Sequence, residues 1–128
     1  MIVVDTSVWV AALRSQTSRE ARILKDLLDA DEVGLPAPVR LEIFAGASTA
    51  DRKHLRRALS ALPVLYPTEE TWPILDQWVD NAARAGQRFG FGDLLIAALA
   101  AETGSLVWSL DAAFESMDQF DLVGCYAG

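Results

Sequence analysis

The stretch Met1-Ile2-Val3-Val4-Asp5-Thr6-Ser7 decides the fold of this chain. Its apolar run predicts a buried strand of a parallel sheet, and the polar residues after it predict a turn into a helix. In open α/β sheets, ligand sites lie outside the carboxyl ends of the strands. Asp5 is therefore a candidate site residue, and the alternative is that it only caps the following helix.

A second stretch near the other end has the same character: Ser105-Leu106-Val107-Trp108-Ser109-Leu110-Asp111. If the two strands are neighbours in one parallel sheet, Asp5 and Asp111 project into the same crevice. Ser109 precedes Asp111 by two residues, so strand alternation predicts that both point to the same side. Asp111 also has a capping alternative, because a short helix is predicted directly after it.

Predicted helices and strands alternate through the rest of the chain. The helices are expected at residues 8–13, 17–31, 39–46, 51–59, 68–86, 93–101 and 112–117, and the further strands at 33–35, 63–66 and 122–123. Thr17 and Glu20 have the spacing of a capping box at the start of the second helix. This alternation predicts a single α/β domain over residues 1–128 with a mainly parallel sheet.

Two regions around the later helices carry further expectations. Residues 89–92, which include two glycines, are expected to form a flexible joint. In the helix over 68–86, four large apolar residues recur at helical spacing, and core packing is favoured over a surface that stacks bases. These residues are Trp72, Leu75, Trp78 and Val79.

Composition narrows the class of protein. The chain has 128 residues, 52% of them hydrophobic, which is ample for a buried core. Cys125 is the single cysteine, so no internal disulfide can form and a reducing cytoplasm is the expected location. With His54 as the other soft ligand, a structural zinc site is unsupported. No apolar run is long enough to span a membrane, and Asp5 comes too early for a signal peptide.

The charge distribution is uneven. A net charge of −7, from 11 basic and 18 acidic residues, argues against a protein that binds a phosphate backbone over its whole surface. However, every Lys and Arg lies at or before Arg88, and the last third of the chain is acidic. One region can therefore contact phosphates while another attracts cations.

Two further acids complete the candidate site. Glu42 lies on a predicted helix with Ala45 and Gly46 at i+3 and i+4, where small side chains leave access to the carboxylate; the alternative is an ordinary solvated helix face. Asp93 begins a helix that is apolar all round and therefore buried, and helix capping is its alternative role.

The chemistry of four acids in one crevice points to a cation. Converging carboxylates repel one another unless a cation or a proton intervenes. Oxygen ligands without nearby Cys or His favour Mg²⁺ or Mn²⁺. Such a site can produce hydroxide from water and neutralise charge on a phosphoryl group, so phosphodiester hydrolysis is the expected reaction.

The motifs around these four acids, in this order, resemble those of the PIN-domain ribonucleases, and among them the VapC toxins of type II toxin–antitoxin modules. The resemblance implies a three-layer fold with helices flanking the sheet. It also implies that Asp5, Glu42, Asp93 and Asp111 are catalytic and hold Mg²⁺ or Mn²⁺, supported by Thr6 or Ser7 and by Ser109.

The resemblance further implies the partners: an RNA substrate, a small antitoxin protein that blocks the acidic cleft, and a second copy in a homodimer. Two features depart from the family pattern. Gly92 precedes Asp93 where relatives often carry alanine or a small polar residue, and residues 112–114 lack an acid that some relatives have. Asp118 or Asp121 could substitute for that acid.

Several basic residues are candidates to hold RNA phosphates, with a solvated helix face as the alternative for each. They are Arg14, Arg19, Arg52, Lys53, Arg56 and Arg57. Two other functions compete with the nuclease. A receiver domain is disfavoured because no lysine follows Lys53, and a catalytically silent PIN fold that binds a partner is disfavoured because all four acids are present.

Overall fold

Seven helices and a four-stranded sheet make up the computed structural model, which describes the whole chain from Met1 to Gly128. In chain order the elements are β1 (Ile2–Val4), α1 (Thr6–Arg14), α2 (Arg19–Asp29), β2 (Val33–Pro36), α3 (Ala37–Ala45), α4 (Thr49–Leu59), β3 (Val64–Leu65), α5 (Thr71–Arg84), α6 (Phe91–Glu102), β4 (Leu106–Trp108) and α7 (Ala112–Gln119). This confirms the predicted α/β class, with the sheet as the middle of three layers. None of the helices is long and apolar enough to cross a membrane.

The sheet places β1 and β4, the strands that precede Asp5 and Asp111, side by side. Its order is β3-β2-β1-β4 and every pairing is parallel, so β1 lies between β2 and β4. Val4 pairs with Trp108, and the Asp5 N–H donates to the Trp108 carbonyl oxygen at 2.9 Å. Because parallel strands in this register end at one edge, the segments after β1 and β4 start next to each other. The predicted pairing is confirmed.

The core surrounds this edge. Val3, Val4 and Val107 are fully buried in the two central strands. Helix α6 is buried along residues 94–100, which confirms the prediction from its all-round apolar surface. A helix enclosed on every side has little freedom to rotate or slide. Asp93, in the first turn of α6, is therefore held in a fixed position.

Two local predictions are wrong. The N-cap of α2 is Ser18, whose hydroxyl accepts from the Ala21 N–H at 3.1 Å, whereas the Thr17 hydroxyl pairs with that of Ser15. No strand forms at residues 122–123, because the Leu122 N–H donates to Met117 O in the turn that ends α7. The last contact with the sheet is instead an isolated parallel bridge between Val107 and Cys125.

The core interpretation of α5 is wrong for two of its four residues. Leu75 is buried, and Trp78 is half-buried and packs against the core. Trp72 and Val79 are 47% and 52% exposed. The buried stripe of α5 runs through Thr71, Leu75, Trp78 and Ala82, so positions 72 and 79 lie beside it and face outward.

Candidate functional site

Asp5 is buried at the carboxyl end of β1, with 6% of its surface exposed. Its Oδ2 accepts hydrogen bonds from Ser7 Oγ at 2.8 Å and from Ser109 Oγ at 2.7 Å. The Ser7 N–H also donates to Oδ2, at a longer 3.4 Å, so Asp5 is the N-cap of α1 as well. All these bonds go to one oxygen, which leaves Oδ1 available to a ligand.

The two serines join the segments that follow β1 and β4. Ser7 Oγ accepts from the Leu110 N–H at 3.0 Å, and Ser109 Oγ accepts from the Asp111 N–H at 2.9 Å. Ser109 therefore links the carboxylate of Asp5 to the backbone of Asp111. The position of Ser109 between Asp5 and Asp111 does not result from strand alternation, because β4 ends at Trp108, before Ser109 and Asp111. Thr6 contributes no such link, because its buried Oγ1 has no hydrogen-bond partner.

Asp111 is exposed and its Oδ1 accepts from the Ala113 N–H at 2.9 Å, so it caps α7 as the alternative role predicted. We name Asp5, Glu42, Asp93 and Asp111 the acidic edge. Asp111 is thus both the cap of α7 and a member of this edge. For Asp93 the capping role is wrong. Helix α6 begins at Phe91 with Gly90 as N-cap, which places Asp93 inside the first turn and makes the expected joint at 89–92 partly helical.

The pKa of Asp93 responds to all three of the other acids. Burial of this half-buried residue and then the charges of Asp111, Asp5 and Glu42, in that order, together raise its pKa from 3.8 to about 6. Charges screened by solvent influence a neighbouring group strongly only at short range. The structure therefore places the three other acids that the sequence singled out within electrostatic range of Asp93.

Glu42 lies at the outer rim of this edge, in the middle of α3. The residue is exposed overall, but burial of part of its side chain raises its pKa, and the charge of Asp5 adds to the effect. The Thr6 hydroxyl opposes this rise, although it does not reach hydrogen-bond geometry. Glu42 is thus solvated, as the alternative role predicted, and coupled to the site as well.

No basic side chain neutralises the acidic edge. The two salt bridges of the protein join the N-terminal amine to Glu32 and Lys25 to Asp29, away from these four residues. The uncompensated charge and the all-oxygen donor set suit a hard divalent cation. With the side chains as they stand, however, no three acids are spaced to share one metal ion. A cation therefore requires side-chain rotations at this edge.

Next to the edge, a groove of about 400 Å³ reaches Glu42 between α1, α3 and α4. Its walls include Arg14 and His54, together with apolar residues of α1 such as Val10 and Leu13. Sequence reasoning missed this groove because Val10 and Leu13 have the composition of a core-facing helix. In the folded chain both side chains are exposed, which distinguishes them from core residues.

The candidate RNA-binding residues lie in different surroundings. Arg14 lines the groove, whereas the Arg19 guanidinium donates to the Gly128 carbonyl oxygen. Arg52 and Arg56 both contact Phe44. Lys53 and Arg57 are exposed on α4.

A family model identifies the class of protein to which the chain belongs. The family model of the PIN domain matches residues 2–119. The chain belongs to the PIN-domain family, which rules out the receiver-domain alternative.

Relatives within that family narrow the assignment to its VapC group. The chain is 33% identical over 129 residues to ribonuclease VapC11 of Mycobacterium tuberculosis, with 90% of each chain covered. It is 32% identical over 117 residues to ribonuclease VapC18 of the same species, covering 88% of this chain and 83% of the relative.

Solved structures agree with this fold. FitAB bound to a DNA fragment is 25% identical with a TM-score of 0.78, covering 98% of this chain and 94% of the other. VapBC2 from Rickettsia felis, bound to a promoter DNA fragment, is 17% identical with a TM-score of 0.80 and 98% coverage of both chains.

Proposed function

We propose that this protein is a metal-dependent endoribonuclease that acts as the toxin of a toxin–antitoxin pair. It hydrolyses phosphodiester bonds of RNA in the cytoplasm, through one PIN domain that spans residues 1–128. The observation that carries the proposal is the acidic edge, where burial and the charges of three other carboxylates, without a basic partner, raise the pKa of Asp93 to about 6. The names of VapC11 and VapC18 as ribonucleases support the reaction.

The acids are proposed to hold Mg²⁺ or Mn²⁺. Asp5, Glu42, Asp93 and Asp111 supply only oxygen ligands, the type that these cations prefer. When bound, the cation activates water and neutralises charge that develops on the phosphoryl group. The repulsion from Asp111, Asp5 and Glu42, which adds to burial in raising the pKa of Asp93, is relieved when such a cation binds.

The chain itself orients these ligands. Ser7 and Ser109 fix Oδ2 of Asp5 and leave Oδ1 free to face the site. Ser109 also ties the backbone of Asp111 to Asp5, so the two segments that carry these carboxylates are held together. Groups that orient metal ligands in this way usually affect metal affinity or activity by about 10- to 100-fold.

A cleavage assay tests the proposal. Purified protein is incubated with total bacterial RNA in excess EDTA, then with Mn²⁺ or Mg²⁺, and the new RNA ends are sequenced. We expect cuts only with the cation, leaving a 3′-hydroxyl and a 5′-phosphate. Asp5→Asn removes a charged ligand with little change in volume and should abolish the cuts, whereas Asp80→Asn on the exposed side of α5 should not.

Three results of this assay would overturn the nuclease assignment. Cleavage that persists in excess chelator contradicts a role for the metal. Equal cleavage by wild type and Asp5→Asn contradicts the acidic edge as the catalytic site. An intact RNA pool with every cation, from protein that still binds a partner, identifies the alternative, a catalytically silent PIN fold.

The proposed protein partners are an antitoxin and a second copy of the chain. FitAB and VapBC2 were solved as complexes, which supports an antitoxin for this chain. The neighbouring reading frame is the first place to look for it. Co-expression followed by gel filtration should recover both proteins together, and the homodimer is tested by light scattering on the chain alone.

A further inference from the structure

Three arginines from two helices gather around one buried phenylalanine. Phe44, at the end of α3, is 6% exposed. The Arg40 guanidinium carbon lies 4.5 Å from the centre of its ring, and that of Arg56 lies 5.3 Å from it. Arg52 Nε donates a hydrogen bond to the Phe44 carbonyl oxygen at 3.0 Å. We name Arg40, Arg52 and Arg56 the arginine cluster.

The positive charge of this cluster is not neutralised. None of its members takes part in either salt bridge of the protein. Arg40 and Arg56 donate no hydrogen bond to the protein, although each guanidinium carries five donors. Three cations held together repel one another, and the rest of this chain is acidic, with a net charge of −7. The unused donors and the charge both favour an anionic ligand.

The contact with Phe44 orients two of these groups. A guanidinium that packs against an aromatic ring uses its flat face and keeps its N–H edge free. That edge matches a phosphate, to which arginine donates two parallel hydrogen bonds. Because the ring is buried in the core, Arg40 and Arg56 are anchored without using any donor.

The cluster lies close to the acidic edge. Arg40 precedes Glu42 by two residues on α3, which is about 3 Å along the helix axis. Residues two apart do not face each other on a helix, so Arg40 and Glu42 flank α3 from different sides. A chain molecule that crosses the middle of α3 therefore meets the cluster on one side and the acidic edge on the other.

We propose that the arginine cluster binds phosphates of single-stranded RNA next to the cleaved bond, an inference that rests on the proposed ribonuclease function. The acidic edge repels a polyanion, and the last third of the chain has no Lys or Arg to compensate. The cluster supplies the attraction that holds the strand beside these acids. Arg40 is thereby added to the candidate RNA contacts, and Phe44 becomes the residue that positions Arg40 and Arg56.

Salt-dependent binding tests this site. The probe is a fluorescein-labelled single-stranded RNA of mixed sequence in EDTA, and its affinity is measured by anisotropy over a range of salt concentrations. For single strands the slope of log K against log salt changes by about 0.7 for each phosphate contact. The double variant Arg40→Gln/Arg56→Gln should weaken binding and reduce the steepness of the slope by about 1.4.

A second double variant controls for the change in net charge. Arg22→Gln/Arg84→Gln removes the same charge from exposed positions on α2 and α5 and should leave the slope unchanged. The single variants Arg40→Gln and Arg56→Gln should each reduce the steepness of the slope by about 0.7, half the change expected of the Arg40→Gln/Arg56→Gln variant. A thermal melt shows whether the double variant is folded. If it is not, the two single variants still test the site.

Each contrary result has a defined meaning. If both double variants have the slope of wild type, or if wild type does not bind the RNA, the arginine cluster is not an RNA site. If RNA binding is unchanged but binding of a polyglutamate peptide is lost, the cluster instead takes an acidic protein. Failure of the nuclease function itself would appear separately, as the absence of cleavage by wild type with Mn²⁺.

Discussion

Replacing Asp93 with Asn should stabilise the cation-free protein near neutral pH. A rise in pKa from 3.8 to about 6 corresponds at full strength to a destabilisation of about 3 kcal/mol when the group is charged. Asp93 is only half-buried, and solvent screening reduces this figure to about 1.5 kcal/mol. The variant also loses a favourable interaction of about 0.5 kcal/mol between the charge and the N-terminus of α6. The expected net gain is about 1 kcal/mol.

The pH dependence of this gain follows from the raised pKa. The folded protein binds the Asp93 proton more tightly than the unfolded chain does, so this group reduces stability as pH rises from about 4 to about 6. The advantage of Asp93→Asn should be complete above about pH 7, about half as large near pH 5, and absent below about pH 4.

Urea denaturation in EDTA, followed by circular dichroism, measures this difference directly. A gain of about 1 kcal/mol corresponds to about 4 °C in Tm for a chain of this size. Asp80→Asn, on the exposed face of α5, removes the same charge away from the acidic edge and should have little effect. A variant less stable than wild type at neutral pH, or a gain equally large at pH 5, would refute the electrostatic account of Asp93.

Three other predictions concern the support of the site and the packing around it. Ser109→Ala removes the hydroxyl that joins Asp5 to the segment after β4, and cleavage should fall by about 10- to 100-fold in a kinetic assay. Glu42→Gln, at the rim, should reduce cleavage less than Asp5→Asn does; equal losses would show that Glu42 is as central as Asp5. Leu75→Ala should lower the free energy of unfolding by about 2–5 kcal/mol, whereas Trp72→Ala should change it by less than about 1 kcal/mol in the monomer.

The pairing of β1 with β4 and the neighbouring positions of Asp5 and Asp111 could be predicted because their signals are local. An apolar run followed by a carboxylate identifies the end of a buried strand, and two such runs in one small α/β chain are expected to pair. The all-round apolar surface of α6 likewise predicts its burial, which holds Asp93 in place. Glu42 has only a weak signal by itself, because most helical glutamates face water.

Other features depend on tertiary packing that the sequence does not display. Trp72 and Leu75 are both large and apolar, and only the rotation of α5 against its neighbours decides which of them is buried. The spacing predicts Thr17 as the cap of α2, one residue before the observed Ser18, because neighbouring hydroxyl residues in one turn can both serve as a cap. The arginine cluster depends on the packing of α4 against the end of α3, so spacing alone gave no sign of it.

Titration of the protein with Mn²⁺, monitored by calorimetry or electron paramagnetic resonance, tests the central claim most directly. We predict saturable binding to wild type near neutral pH, at least about tenfold weaker binding to Asp5→Asn, and weaker binding near pH 5, where protons compete for Asp93. Wild-type protein that binds no Mn²⁺, or that binds it with the same affinity as Asp5→Asn, would contradict the claim that these four acids form a metal site.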